Sequence, residues 1–211
     1  MHIVNELNLS AFIFFNKNFG QPIFKNLLSS INAIGDPHYF HFHLVFIFII
    51  GSILIYRKQN KIPALTRLLQ QGISSSLTAI ISLSVGLLLI VNILKIYTHI
   101  LRPHCSLENI FVLKHVIDSS TCQHSFPSGH IAYAIIMIFS FWPLFSQFFK
   151  ATSIILLCIL MISRMASGAH YPIDIIGSIF ICLPLTLYIR MRMDKYTAFY
   201  ISKWNIFSKF I

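Results

Sequence analysis

The chain has 211 residues, of which 56% are hydrophobic and 10% charged, with a mean hydropathy of +0.74. A soluble domain carries about 25% charged residues, so this composition excludes an ordinary soluble protein and predicts an integral membrane protein of one domain. The net charge of +10 reads as membrane topology, because Lys and Arg collect in cytoplasmic loops; no basic patch with interleaved aromatics stands apart from the apolar runs, which argues against nucleic-acid binding.

Residues 1–39 are read as an N-terminal interfacial, amphipathic segment. The stretch is apolar but interrupted by Asn16, Lys17, Asn18, Gln21, Lys25 and Asn26. At the bilayer centre each lysine costs about 2.5–3.5 kcal/mol on insertion scales, so a helix lying in the interface fits better than a span. A sixth, imperfect span is the alternative. No basic start followed by a clean apolar core and a small-residue site marks a cleavable signal peptide.

Residues 40–195 hold five apolar segments long enough, or nearly so, to cross about 30 Å of hydrocarbon. They are Phe40–Tyr56, Ile73–Leu94, Ile131–Phe149, Ala151–Ile162 and Ile175–Ile189. The fourth is short and is expected to extend past Arg164. The fold class predicted is all-α: a multi-span transmembrane helix bundle of five to six spans. Arg57, Lys58, Lys61 and Arg67 follow the first span, Lys150 lies between the third and fourth, and Arg190, Arg192, Lys195, Lys203 and Lys209 follow the last. With alternating spans these groups share one side, which the positive-inside rule makes cytoplasmic. Residues 196–211 form a basic cytoplasmic tail. The segments Lys95–His130 and Ser163–Asp174 then face outward.

Four cysteines give no metal spacing. Cys158 and Cys182 lie in apolar runs as small hydrophobes. Cys105 and Cys122 flank one outward loop, and either pair there in an oxidising compartment or remain two free thiols.

Three polar clusters lie on the outward side. Lys95 and Arg102, in "KIYTHILRP", are seven residues apart and would share a helix face; alone they also read as snorkelling cations. "SFPSGH" opens the third span. A helix start offers free N–H groups and a positive dipole end to an oxyanion. Gly129 admits close backbone approach, Ser128 adds a hydroxyl donor, and His130 points to the same place. In "SRMASGAHYPID", Pro172 suits a first helical position. Asp174 then falls in the first turn, where it can accept from the His170 imidazole and free the other nitrogen to attack. Arg164 adds a fork of donors for phosphate or carboxylate. Together the clusters supply a charge clamp, nucleophile, acid and orienter for phosphoryl transfer.

The clusters resemble the signature of the type 2 phosphatidic acid phosphatase (PAP2) superfamily, K-x6-R-P, P-S-G-H and S-R-x5-H-x3-D. Here they are Lys95…Arg102-Pro103, Pro127-Ser128-Gly129-His130 and Ser163-Arg164…His170…Asp174, matching all eleven fixed positions in order. The resemblance implies that His170 is the nucleophile forming a phosphohistidine, Asp174 its partner and His130 the acid for the leaving oxygen. It implies a phosphate cradle of Lys95, Arg102, Ser128, Gly129 and Arg164, and no cofactor or metal. The implied activity is hydrolysis of a lipid phosphate or pyrophosphate in the bilayer, with a bacterial inner membrane the expected location. The loop between the first two clusters, with His104, Glu108, Lys114, His115, Asp118 and His124, is the place expected for headgroup selectivity. A phosphotransferase passing the group to a lipid or sugar hydroxyl uses the same residues. A vanadium-dependent haloperoxidase shares the phosphate-site logic but not a small multi-span chain. A non-enzymatic membrane protein would not require both histidines.

Overall fold

The structure, a computed structural model, describes residues 2–36, 62–113 and 122–207. The described residues are helices, turns and loops, without a strand. In chain order they are α1 (His2–Phe19), α2 (Lys25–Ile34), α3 (Ile62–Ser82), α4 (Asn92–Thr98), α5 (Pro103–Ser106), α6 (Gly129–Phe141), α7 (Gln147–Ala166) and α8 (Pro172–Phe207). Leu83–Val91 joins α3 to α4 as a wider, π-type helix. The expected span Phe40–Tyr56 lies outside the described residues.

Among the described residues three stretches are long and apolar enough to cross a membrane: Gln70–Ser106, Gln147–Ala166 and Pro172–Tyr200. A shorter apolar helix covers Gly129–Leu144. The expected third span, Ile131–Phe149, therefore ends early. Pro143 cannot donate to a continuing helix, and Trp142–Leu144 tightens into a 3-10 turn. Ser146 then caps α7, its hydroxyl accepting from Phe149 N at 3.4 Å, so Phe148 and Phe149 open the next helix. As expected, the fourth segment runs past Arg164, to Ala166. The last helix has 36 residues, about 54 Å at 1.5 Å per residue. It runs on past residue 196, where a basic tail was expected to begin, to Phe207.

The core is built where α6 meets α3, α7 and α8. Ile131, Ala132, Ile135 and Ile136 of α6 are almost fully buried, with Val91, Cys182 and Phe12. α3 packs against α8, and both helices bury small polar residues: Ser74, Ser75, Thr78 and Ser82 of α3, and Ser178 and Thr186 of α8. Small side chains let helix backbones approach closely in lipid. Thr78 Oγ1 and Thr186 Oγ1 turn back onto their own helices, to Ser74 O and Cys182 O, both at 2.7 Å, whereas Ser74 Oγ crosses to Asp194 of α8.

The N-terminal polar residues divide by face. Lys17, Asn18, Gln21, Lys25 and Asn26 are exposed, whereas Asn16 and Asn32 are buried. α1 and α2 both pack on α7. Asn16 Nδ2 donates to Phe111 O and Ala166 O at 2.9 and 3.0 Å, and its Oδ1 accepts from Phe111 N at 3.0 Å. That asparagine sews α1 to the loop before the second signature cluster and to the end of α7.

Candidate active site

The three clusters meet at one end of the bundle. α4 ends at His99, whose φ of 46° is left-handed and stops the helix. Arg102 is therefore not on a helical face shared with Lys95, as its spacing had predicted. It is extended, at the N-cap of α5. The chain reverses between them, and Arg102 N donates to Cys122 O at 2.8 Å. Cys105 and Cys122 form a disulfide, which closes that turn from the other side. Among the described residues His104, Cys105 and Cys122 are the one His/Cys/Asp/Glu group close enough to hold a metal. The disulfide removes the thiolates such a site needs.

Ser128 is the extended N-cap of α6, so the first N–H groups of α6 face outward from the helix end. The Phe126–Pro127 peptide bond before it is cis. Ser128 N donates to Asp174 O at 3.3 Å, and Ser178 Oγ donates to Ser128 O at 3.0 Å. These bonds lock the start of α6 against the first turn of α8. A Cβ placed on Gly129 would lie 3.4 Å from Lys95 Nζ, so the lysine ammonium sits directly against the helix N-terminus. A cation beside a positive dipole end is unfavourable unless an anion joins them.

α7 delivers Arg164 to the same place. Lys95, Arg102, Arg164 and His170 all lie within electrostatic reach of His130. Arg164 is buried, its Nη1 donating to Asn32 Oδ1 at 3.0 Å. Two buried donors, Ser128 Oγ and Arg164 Nε, have no hydrogen-bond partner among the described residues. Buried polar atoms are rarely left unpaired, and these two point to an oxyanion as the missing acceptor.

After α7, Gly168 takes a φ of 76° with its Cα against Phe111 O, where a side chain would collide. This turn brings His170 back beneath the cations. His170 Nδ1 lies 3.3 Å from Asp174 Oδ2, and both residues are buried. The same oxygen accepts from Ser125 Oγ at 2.5 Å and from Tyr171 N at 2.8 Å. The carboxylate is thereby oriented by two further donors, and the His170 Nδ1–H···Oδ2 bond leaves Nε2 unprotonated and directed elsewhere. Burial first, then Arg164, Arg102 and Lys95, hold the His170 pKa well below its ordinary value, against a backbone hydrogen bond at Ser125. Burial and the cations thus favour the neutral imidazole, the form that can attack as a nucleophile.

All eight residues singled out from the sequence thus fall in one site: Lys95, Arg102, Ser128, Gly129, His130, Arg164, His170 and Asp174. Two supporting residues were missed. Ser125 stands in the quoted "SFPSGH" stretch, but its bond to Asp174 spans 49 residues. Asn32 carried only the weak signal of an amide in an apolar run.

A family model described as the PAP2 superfamily matches residues 75–197. Among solved structures the chain is similar to LpxE of Aquifex aeolicus, with a TM-score of 0.65 and 20% identity over 87% of this chain and 94% of that one. At that identity the likeness is one of fold. No curated protein sequence gives a match. The matched segment is more than half of the chain and contains all eight residues singled out from the sequence, so the chain belongs to the PAP2 superfamily.

Proposed function

We propose that the protein is an integral membrane lipid phosphatase that hydrolyses a lipid phosphate or pyrophosphate at the outer membrane face through a phosphohistidine. The observation that carries this reading is the Ser125–Asp174–His170 chain of hydrogen bonds beneath three converging cations. The disulfide beside Arg102 suits an oxidising, outward-facing compartment. The long apolar helices keep the site at a bilayer surface, where a lipid headgroup would meet it.

Lys95, Arg102, Arg164 and the α6 N-terminus hold the phosphoryl oxygens and offset charge in the transition state. His170 Nε2 attacks phosphorus, while Asp174 stabilises the imidazolium through Nδ1–H. Burial and the cations hold the His130 pKa well below its ordinary value in the empty site; the substrate phosphate offsets those cations and lets His130 take up a proton, which it gives to the leaving oxygen as the bond from phosphorus to that oxygen breaks. His130 next takes a proton from water, whose oxygen attacks the phosphohistidine. The P–N bond breaks, phosphate departs, and both histidines return to their starting states. No step needs a cofactor or a metal.

The test is phosphate release from a panel of lipid phosphates and pyrophosphates in detergent with EDTA present. Release by wild type and none by folded His170→Ala is the expected result. Equal release by both proteins would remove His170 from the chemistry. A phosphotransferase would instead release little phosphate until an acceptor alcohol was added.

A further inference from the structure

An apolar cavity of about 370 Å³ opens between α2, α6 and α7, directly below the site. Its lining includes Ile34 and Gly35 from the end of α2, Tyr133, Ala134 and Met137 of α6, and Leu160 of α7. Residues three or four apart share a helix face. Ala134 is therefore one turn below His130 on the same face of α6, and Leu160 is one turn below Arg164 on the same face of α7. At the end of α2, Gly35 stands one turn beyond Asn32, the residue bonded to Arg164. All three walls thus run, within about 6 Å along their axes, from apolar lining to residues of the phosphate site.

We infer that this cavity holds one hydrocarbon chain of the substrate while its phosphate is in the cradle above. The inference rests on the lipid phosphatase reading and adds a chain-selecting site to it. Ligand pockets run from about 300 to 1,000 Å³, so a cavity this small suits one chain and not two. The lining gives a chain dispersion contacts and burial without a charged partner. Gly35 sets the width at one wall, because a Cβ there would meet both Leu160 methyls at 2.9 Å. A substrate with one slender chain is favoured over one whose two chains must enter together.

The experiment uses n-alkyl monophosphates from butyl to hexadecyl, with wild type, Ala134→Phe and Met137→Trp in detergent. Each buried CH2 is worth about fourfold in affinity. The wild-type kcat/KM is expected to climb with chain length and then level off. Both variants fill the cavity and should lower the hexadecyl-to-butyl ratio of kcat/KM by about tenfold or more. A ratio unchanged in a folded variant overturns the chain site while leaving the phosphatase reading intact. Hydrolysis of no alkyl phosphate by protein that does release phosphate from the lipid panel overturns the chain site alone, and release from neither set overturns both. A hexadecyl phosphate with a terminal diazirine gives a readout without turnover on folded His170→Asn. Labelling of the cavity residues that excess inorganic phosphate abolishes supports substrate binding. Labelling that phosphate does not displace marks an ordinary bilayer lipid and overturns the proposal.

Discussion

Asn32, from a helix that carries none of the family signature, accepts a hydrogen bond from the Arg164 guanidinium at 3.0 Å. The same oxygen accepts from Ser163 Oγ at 3.3 Å, so one buried amide orients the Ser-Arg pair of the third cluster. Its Nδ2 is buried without a partner among the described residues. A hydrogen bond to a charged group is worth about 1.5–3 kcal/mol. Asn32→Ala should therefore raise KM about tenfold or more, with a smaller fall in kcat, because Arg164 remains but is less well aimed. Asn32→Asp keeps the acceptor and should recover part of the loss. An unchanged KM in a folded Asn32→Ala protein would mean that Arg164 needs no help from the N-terminal helices.

Ser125 acts through Asp174 on His170, the nucleophile of the proposed mechanism. Its hydroxyl donates to the carboxylate oxygen that His170 also uses. Removing it frees the carboxylate to turn and misaligns the imidazole. Ser125→Ala should lower kcat by about tenfold and leave KM near its wild-type value. Ser125→Thr keeps the donor and should be milder. If KM rises instead while kcat holds, Ser125 belongs to the phosphate cradle and not to the His–Asp pair.

His170 should titrate below the ordinary histidine value of about 6.5. Burial and the three cations disfavour its protonated form, so the ring stays neutral as pH falls through 6.5 and protonates only in more acidic solution. Difference NMR spectra of histidine-labelled wild type and His170→Asn would give the midpoint. Orthovanadate in the cradle offsets the cations and should move that midpoint upward. A midpoint at or above 6.5 in the free protein would contradict the electrostatic reading of the site.

Helix type, most segment positions and all eight clustered residues were legible in the sequence. Apolar length dictates helices in lipid, and the signature residues carry their chemistry in their types. The turn between Lys95 and Arg102 was not legible. A seven-residue spacing fits a helix, and only the left-handed His99 breaks it. The end of α6 was obscured for a related reason, since "FWPLFSQFF" is apolar throughout and Pro143 and Ser146 punctuate it only weakly. Asn16 read as an interruption of an apolar segment, and Asn32 was not singled out at all. Their roles lie in contacts across 95 to 150 residues for Asn16 and 132 for Asn32, beyond the reach of any local pattern.

The disulfide ties Arg102 to the site. Arg102 N bonds to Cys122 O, and Cys105 N bonds to Arg102 O at 3.0 Å. The cysteines are 17 residues apart, and closing a loop of that size contributes about 3 kcal/mol by unfolded-state entropy. Cys105→Ser and Cys122→Ser should each lower the melting temperature and raise KM, and dithiothreitol should do the same to wild type. Mass spectrometry of unreduced, alkylated protein should show both thiols protected. Full alkylation before reduction would remove the disulfide from the account of Arg102.

At the far end of the bundle, Arg190 binds a set of groups that the chemistry does not use. Its Nε donates to both Asp194 carboxylate oxygens at 3.1 Å, and its Nη1 donates to Ser75 Oγ at 2.8 Å and Ser140 O at 2.5 Å. Ser74 Oγ reaches Asp194 Oδ1 at 2.5 Å. One guanidinium thus joins α3, α6 and α8, about 24 Å along α8 from Asp174 at 1.5 Å per residue. Breaking a buried, hydrogen-bonded charge pair typically costs about 3–5 kcal/mol when one partner is removed. Asp194 is half exposed, so Asp194→Ala should cost less, about 1–2 kcal/mol. Arg190→Ala leaves Ser140 O unpaired and should lower the melting temperature more, with kcat/KM at low temperature near wild type. Thermal unfolding in detergent, followed beside phosphate release, separates the two effects. Lost activity without lost stability would mean that the far end of the bundle communicates with the site, and that Arg190 is more than a fastening between helices.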